Sequence, residues 1–169
     1  MEEFALELYK CPNNVLSQLN FRFNYKGKKE WISNCEDIFR TYVFNQKFTL
    51  FSKPVELIHG DDFKKCFDKF IIGDEKYHKQ RKVDRSRMER LKWIYDILTN
   101  FSKCYYDNCD KYIFSRYKHE KKDRVVIYCK NHSYALFLHE YVDKYVLVSA
   151  YIVEYKKSIE KIANNKCEY

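Results

Sequence analysis

The sequence predicts an α+β fold in which a mostly helical first part is followed by a small antiparallel sheet. Apolar residues recur at helical spacing in several stretches before residue 100. Beyond residue 103, short runs rich in Tyr, Val, Ile and Phe alternate with polar turns, and the connections are too short for crossover helices. The sheet is therefore expected to be a meander, and this order of elements is typical of α+β domains.

The first 75 residues are expected to form a mostly helical N-terminal extension, and residues 76–169 a second, α+β part. The predicted elements of the extension are helices over residues 4–19, 29–44 and 61–71 and a short strand over residues 47–52. Pro12 breaks the first helix, and Asp61 or Asp62 is a suitable N-cap for the third. A polar loop is predicted from Gly73 to Asp84.

A helix is predicted to begin after Asp84, which is a good N-cap, and to end at Thr99 or Asn100. Its apolar face consists of Met88, Leu91, Ile94, Tyr95 and Leu98, with Trp93 nearly opposite. Arg87 falls at the edge of this face. A guanidinium at such a border is expected to reach a polar partner or a cleft.

The sheet is predicted from five short runs, and a final helix from the residues that follow them. The runs are residues 103–107, 111–117, 124–130, 133–141 and 144–153, and the helix covers residues 154–164. Asn131 and His132 form a tight turn. In the last run, alternation places Ser149 and Tyr151 on the same face as Tyr145, and Arg116 is expected to join them.

The positive charge of the chain is concentrated in one short stretch. The formal net charge is +8, and residues 76–92 alone carry eight basic and two acidic side chains. Such a patch suits a polyanion, most simply a nucleic acid, although a solubilising surface or a basic loop is the alternative interpretation. The basic residues of this stretch that are expected to contact nucleic acid are Lys79, Arg81, Lys82, Arg85 and Arg90, together with Arg116 farther along.

The seven cysteines and the histidines do not form a recognisable metal motif. Cys104 and Cys109 are followed by His119, Cys129 and His132, but this spacing fits no tight zinc signature. No apolar run reaches the length of a membrane span, and the N-terminus lacks the pattern of a secretory signal. The chain is therefore expected to be cytoplasmic, without metal or other cofactor, and its cysteines to be reduced thiols.

Metal-independent cleavage of RNA needs only a base for the 2′-hydroxyl, a cation for the phosphate and an acid for the leaving oxygen. His78 lies in the basic stretch, Arg87 at the border of the helix, and Ser149 and Tyr151 on the last strand. These four residues are the predicted catalytic set. Each also has a structural interpretation: an exposed loop histidine, an ion-paired arginine and two half-buried strand residues.

The pattern D84-x-x-R87-x-x-R90-L91-x-W93-I94, followed by a meander ending in V148-S149-A150-Y151, resembles the phage-associated nuclease domains of the barnase–EndoU–colicin–RelE superfamily. The resemblance covers about residues 76–155. It implies a barnase/RelE-like fold and a metal-independent endoribonuclease that serves as a toxin in conflict between phages, bacteria and mobile elements. By position, Arg87 would contact phosphate, Trp93 would brace the helix, and Ser149 and Tyr151 would line the site.

The resemblance implies RNA as the partner, tRNA or mRNA in particular, and a neutralising or target protein as a second partner. Ser149 stands where the pattern commonly has Thr, and both keep a hydroxyl. Two other classes remain open from the residues: a non-catalytic phage or mobile-element protein that binds a host protein or nucleic acid with a degenerate nuclease fold, and a zinc-stabilised adaptor. Convergence of the predicted catalytic set on one concave surface would favour the nuclease.

Overall fold

The computed structural model describes residues 35–74, 81–88, 90–106 and 111–153. The helices predicted over residues 4–19 and 154–164 lie outside these ranges. The chain divides into two compact units, each built from two stretches: Met1–Gln46 with Asp62–Ile97, and Lys47–Asp61 with Leu98–Tyr169. Neither unit coincides with the predicted segments 1–75 and 76–169. In the described ranges no helix has the length and apolar character that crossing a membrane requires.

The first unit begins, within the described residues, with a helical segment over residues 35–44, whose last part is the π-helical stretch Arg40–Phe44. Helix α1 (Phe63–Ile71) follows, and its N-cap is Asp62, whose carboxylate accepts from the Lys65 N–H at 3.1 Å. This confirms the predicted helix over residues 61–71. Phe39 is fully buried and lies 5.5–5.8 Å, centroid to centroid, from three rings of α1: Phe63, Phe67 and Phe70.

The predicted polar loop after Gly73 contains a short hairpin. Strands β3 (Ile72–Asp74) and β4 (Arg81–Val83) pair antiparallel, so the prediction of a loop is wrong at both of its ends. Helix α2 (Arg85–Met88) begins directly after the hairpin, and Asp84 caps it by accepting from the Arg87 N–H at 3.3 Å. The Asp84 N–H in turn donates to the Ile71 carbonyl at 2.7 Å, which ties the start of α2 to the end of α1.

The single helix predicted from Asp84 to Thr99 or Asn100 is two helices. After α2, the Arg90 N–H donates to the Arg87 carbonyl three residues back, and helix α3 runs from Leu91 to Tyr106. Met88, Leu91 and Ile94 are buried as predicted, but Trp93, placed on the opposite face by the periodicity, is only 5% exposed. The helix is therefore apolar on more than one side in the first unit.

The strand predicted over residues 103–107 is wrong, because α3 continues through this stretch to Tyr106. Leu98, Phe101 and Cys104 are buried in the second unit, at the spacing of successive helical turns. Aromatic content suggested a strand here. Burial of one helical face outweighs that preference, because the strand propensity of a residue depends strongly on its packing context.

The second unit contains a six-stranded sheet. Its strands are β1 (Phe48–Leu50), β2 (Lys53–Leu57), β5 (Tyr112–His119), β6 (Lys122–Cys129), β7 (Tyr134–Glu140) and β8 (Tyr145–Ile152), in the spatial order β1-β2-β8-β7-β6-β5. The last four form the predicted antiparallel meander. The tight turn predicted at Asn131 and His132 joins β6 to β7.

The prediction of a purely antiparallel sheet is wrong, because β2 pairs parallel with β8. The strand predicted over residues 47–52 corresponds to β1, whereas β2, which contains Pro54, was not predicted, since proline removes a ladder hydrogen bond. Pro54 lies in β2 opposite Thr49 of β1, and the parallel ladder begins one residue later, at Val55 opposite Tyr145. Pro54 thus precedes the residues of β2 that pair with β8, and β2 continues beyond it to Leu57.

A β-bulge in β8 changes which side chains share a face. Phe137 of β7 pairs with Ser149, whereas the next residue, Leu138, pairs with Leu147, so that Val148 is an extra residue. Such an insertion reverses the alternation beyond it. The prediction that Ser149 and Tyr151 share a face with Tyr145 is therefore wrong: they lie on the face of the sheet opposite to Tyr145.

One face of the sheet packs against the second part of α3, and we call it the α3 face. Phe101 is 1% exposed, and its ring centroid lies 5.7 Å from that of Tyr112 and 5.8 Å from that of Phe114. Phe51, in the turn between β1 and β2, contacts Phe101 and Phe114 edge to face. These aromatic rings form a large part of the apolar core of the second unit.

Tyr145 of β8 is a buried phenol next to a carboxylate on the α3 face. Burial raises its pKa above the ordinary value, and Glu140, which accepts a hydrogen bond from the phenol, raises it further. Glu140 is itself held by Arg116 in a two-point ion pair, with Nε–Oε1 at 2.8 Å and Nη2–Oε2 at 2.9 Å. The folded state therefore favours the neutral phenol.

We expect the free energy of unfolding to fall as the pH rises above about 10, where an unfolded tyrosine ionises but Tyr145 keeps its proton. Stability from this group is fully present below pH 10 and is lost as the pH rises toward the folded pKa. Urea unfolding of Tyr145→Phe should show a weaker decline above pH 10 than the wild type. Tyr106→Phe, at an exposed tyrosine, is the control. An unchanged decline in Tyr145→Phe would contradict the assignment.

Candidate functional site

The second face of the meander combines polar and aromatic side chains, and we call it the concave face. From register and alternation it carries Ile113, Ser115 and Tyr117 of β5, Arg124, Val126 and Tyr128 of β6, Ala135, Phe137 and His139 of β7, and Ser149 and Tyr151 of β8. Its apolar centre is a buried cluster that includes Val126, Tyr128 and Ala135. Tyr117, Phe137 and Tyr151 pack against this cluster and are partly exposed.

Three residues of catalytic type occupy one row across the concave face. Tyr117 pairs with Arg124, and Arg124 pairs with His139 on the next strand. Side chains at directly paired positions lie on the same face, with Cβ atoms about 5 Å apart. A phenol, a guanidinium and an imidazole are thus side by side, within reach of one bound group.

One N–H group of the Arg124 guanidinium has no hydrogen-bond acceptor among the described residues. Tyr117 and Arg124 share a side-chain hydrogen bond. The Arg124 Nε–H, however, is buried and has no acceptor among the residues that the structure describes. Buried donors are nearly always paired in folded proteins, so an unpaired guanidinium N–H on a face of this kind calls for an explanation. An oxyanion such as a phosphate would supply the acceptor in a geometry that suits arginine.

Tyr117 of β5 and Tyr151 of β8 lie on the two outer strands of the meander. The pKa of Tyr117 is raised: burial raises it, Arg124 lowers it, and the charge of Tyr151 raises it. Since the result is a pKa above the ordinary value, Tyr117 holds its proton at neutral pH.

The predicted residues Ser149 and Tyr151 both lie on the concave face. The Tyr151 ring stacks on Phe137, with centroids 4.7 Å apart and planes 20° apart. Ser149 is directly opposite Phe137 and half-buried. The bulge at Val148 places Ser149 and Tyr151 here rather than on the α3 face. These two residues are therefore brought together with Tyr117 and Arg124, as part of one surface in the second unit.

Arg87, the predicted phosphate contact, belongs to the first unit and is engaged within it. Its Nη1 donates to the Ile72 carbonyl at 3.3 Å, and its Nε lies 3.7 Å from an Asp84 carboxylate oxygen. The side chain is only 15% exposed. The arginine thus links α2 to β3 and to its own helix cap. That Arg87 belongs to one site with Ser149 and Tyr151 stays a prediction.

The other predicted nucleic-acid contacts of the basic stretch differ in position. Arg90 lies between α2 and α3; its Nη1 donates to the Ser86 carbonyl of α2 at 2.9 Å, and its guanidinium lies over the Trp93 ring of α3. Arg81 and Lys82 are strand residues of β4, and Arg85 is the first residue of α2. His78 and Lys79 lie outside the described residues, so their roles stay predictions.

Arg116 does not join Ser149 and Tyr151, because its side chain belongs to the α3 face. It forms the two-point ion pair with Glu140 described above, and both side chains are partly buried. A guanidinium bound by a carboxylate in this manner is committed to a structural contact that also orders the Glu140–Tyr145 hydrogen bond.

The cysteines offer no metal centre in the parts of the chain that the structure describes, where no three His, Cys, Asp or Glu side chains are grouped to hold an ion. Cys104 is disulfide-bonded, so the expectation of reduced thiols is wrong for this residue. A disulfide sulfur is also a poor zinc ligand, since zinc binds the thiolate. Cys129 is a buried thiol on β6, and burial raises its pKa.

Tyr117, Arg124 and His139 were missed by the sequence analysis. Their signal was weak, because each lies next to charged residues at the polar end of an apolar run. Recognising the row requires the register of two strand pairs, which a single sequence does not supply. No family model matches the chain, and comparisons with curated proteins and with solved structures also found no match.

Proposed function

We propose that the chain is a metal-independent endoribonuclease that acts as a toxin or effector in the cytoplasm, with its active site on the concave face. The observation that carries the proposal is the Arg124 guanidinium, which contacts Tyr117 and keeps a buried Nε–H without an acceptor among the described residues. A scissile phosphate is the group that best satisfies this donor next to a neutral phenol and an imidazole.

The proposed reaction is transesterification by the 2′-hydroxyl. His139 takes the 2′-OH proton, and the 2′-oxygen attacks the adjacent phosphorus. Arg124 stabilises the negative charge that develops on the phosphate oxygens. The phosphorus–5′-oxygen bond then breaks, and Tyr117 donates its proton to the departing 5′-oxygen, leaving a 2′,3′-cyclic phosphate. Tyr117 carries its proton at neutral pH, as a general acid must, and the neighbouring Arg124, which lowers the pKa of Tyr117, favours release of that proton.

Ser149 and Tyr151 are proposed to line the same site and to contact the ribose and base. The Tyr151 ring, stacked on Phe137 and partly exposed, presents a planar apolar surface to a nucleobase. The resemblance to barnase–EndoU–colicin–RelE domains supports the proposal through its order of elements: a helix, an antiparallel meander, and a closing strand that ends in Ser149-Ala150-Tyr151. The proposed substrates are tRNA or mRNA, and a neutralising protein is the second proposed partner.

A second candidate function is binding without cleavage, by a mobile-element protein that has lost nuclease activity. One observation favours it: His139 is only 9% exposed, so a substrate 2′-hydroxyl would have to enter a nearly closed position. In that case the concave face would hold RNA or a host protein through Arg124 and the Phe137–Tyr151 stack alone.

Expression in bacteria distinguishes the two candidates. The wild-type chain is expected to stop growth and to shorten cellular RNA, and Arg124→Ala is expected to permit growth at equal protein level. Lys118→Ala, which removes an exposed cation of β5 on the other face, is the matched control and should remain toxic. Unimpaired growth with intact RNA in the wild type would favour the non-catalytic candidate.

A further inference from the structure

We infer that the first unit carries a separate binding surface for single-stranded nucleic acid, formed by Tyr42 of the helical segment 35–44 and by Lys92 and Tyr95 of α3. We call this surface the tyrosine–lysine platform. It goes beyond the proposed function, because it stands whether or not the chain cleaves RNA. None of its three residues belongs to the predicted catalytic or nucleic-acid-binding sets.

The geometry of the platform combines two rings and a cation. The Tyr42 and Tyr95 rings meet edge to face, with centroids 5.5 Å apart and an interplanar angle of 67°. The Lys92 Nζ lies 5.2 Å from the Tyr42 ring centroid. Lys92 and Tyr95 are three residues apart on α3, so they lie on neighbouring positions of one helical face. The arrangement therefore places an ammonium and two aromatic rings within one small patch.

Exposure separates this patch from the Arg90–Trp93 contact of the same unit. Arg90 lies over Trp93, but that indole is buried and has no face available for a base. Tyr42, Lys92 and Tyr95 are all partly exposed. Tyrosine rings that stay partly exposed next to a lysine are the combination that non-specific single-strand binders use: the ring stacks on a base, and the cation neutralises a phosphate.

The position of the platform in the chain agrees with the charge distribution. Lys92 is the last residue of the stretch 76–92, which carries eight basic and two acidic side chains. A single strand drawn to this unit by charge would meet the rings next to Lys92. The platform favours single strands over duplexes, because bases inside a duplex are stacked on one another and cannot stack on a tyrosine.

The test uses the full chain and a fluorescein-labelled 12-nucleotide 2′-O-methyl RNA, which lacks the free 2′-hydroxyl and so cannot be cleaved by the proposed reaction. Fluorescence anisotropy should show that Tyr42→Ala and Tyr95→Ala each weaken binding about tenfold. Tyr42→Phe, which keeps the ring, should bind as the wild type does. Tyr106→Ala, at an exposed tyrosine farther along α3, is the control. Binding of a blunt duplex should be unaffected by Tyr42→Ala.

Two further measurements cover the case in which an alanine variant fails to fold. Tyr42→Trp should show quenched indole fluorescence when the oligonucleotide is added, because a stacked base quenches it. Lys92→Ala should reduce the slope of log affinity against log salt by about 0.7. The absence of quenching, or an equal loss of duplex and single-strand binding in Tyr42→Ala, would overturn the inference.

The nuclease proposal and the proposal of the tyrosine–lysine platform can each be disproved without affecting the other. If Arg124→Ala loses cleavage but Tyr42→Ala binds the oligonucleotide as the wild type does, the platform is wrong and the nuclease proposal stands. If the wild type never cleaves RNA but Tyr42→Ala weakens single-strand binding, the nuclease proposal is wrong and the platform stands.

Discussion

Replacing Arg124 by alanine is expected to lower the rate of RNA cleavage by about 10²–10³-fold, the usual cost of removing one donor that stabilises developing negative charge. The Nε–H of Arg124 is a buried donor without an acceptor in the described part of the chain, and the substitution removes the guanidinium from the concave face. Single-turnover cleavage of a short labelled RNA measures the effect without contributions from product release.

The conservative variant Arg124→Lys refines this expectation. Lysine keeps the positive charge but lacks the planar fork and the Nε donor, so most of the loss should persist. Lys118→Ala, on the other face, should cleave at the wild-type rate. Equal cleavage by Arg124→Ala and the wild type, with both proteins folded by circular dichroism, would exclude Arg124 from the reaction.

Replacing Phe101 by alanine is expected to lower the free energy of unfolding by about 3–5 kcal/mol, the range for truncating a buried aromatic ring. Phe101 is 1% exposed and contacts Phe51, Tyr105, Tyr112 and Phe114 by its ring. The cavity would open between α3 and the sheet, where the surrounding rings can collapse only in part. Urea denaturation followed by far-ultraviolet circular dichroism gives the difference from the shift of the midpoint.

Tyr106→Ala is the matched control for Phe101→Ala. Tyr106 is on the same helix but 68% exposed, and surface truncations of this kind usually change stability by less than about 0.5 kcal/mol. A loss below about 1 kcal/mol in Phe101→Ala would show that the second part of α3 does not pack on the sheet as described. The α3 face would then not be the core that supports the concave face.

The general architecture could be predicted from the sequence because two local signals were strong. Period-two alternation and the turn at Asn131 and His132 placed β5 to β8 within a few residues, and the Asp62 cap placed α1. Both signals depend on side-chain chemistry over short distances, which a single sequence records directly. The hairpin of β3 and β4 was missed because its three-residue strands are too short to show a period.

The face of the sheet on which each β8 side chain lies could not be predicted, because one extra residue in the strand determines it. Val148 forms a bulge, and strict alternation through it assigned Ser149 and Tyr151 to the wrong face. The parallel pairing of β2 with β8 joins residues about 90 positions apart, and no local pattern specifies such a contact. Arg116 was assigned to nucleic acid by its charge, but its partner Glu140 lies two strands away in the sheet.

The central claim is that the concave face cleaves RNA without a metal ion, and the chemistry of the product ends tests it most directly. A labelled single-stranded RNA is incubated with the purified chain in excess EDTA, and the fragments are analysed by mass spectrometry. The account predicts fragments ending in 2′,3′-cyclic phosphate, and no cleavage at a position that carries a single 2′-deoxy substitution. Intact RNA, cleavage abolished by EDTA, or continued cleavage at the 2′-deoxy position would contradict it.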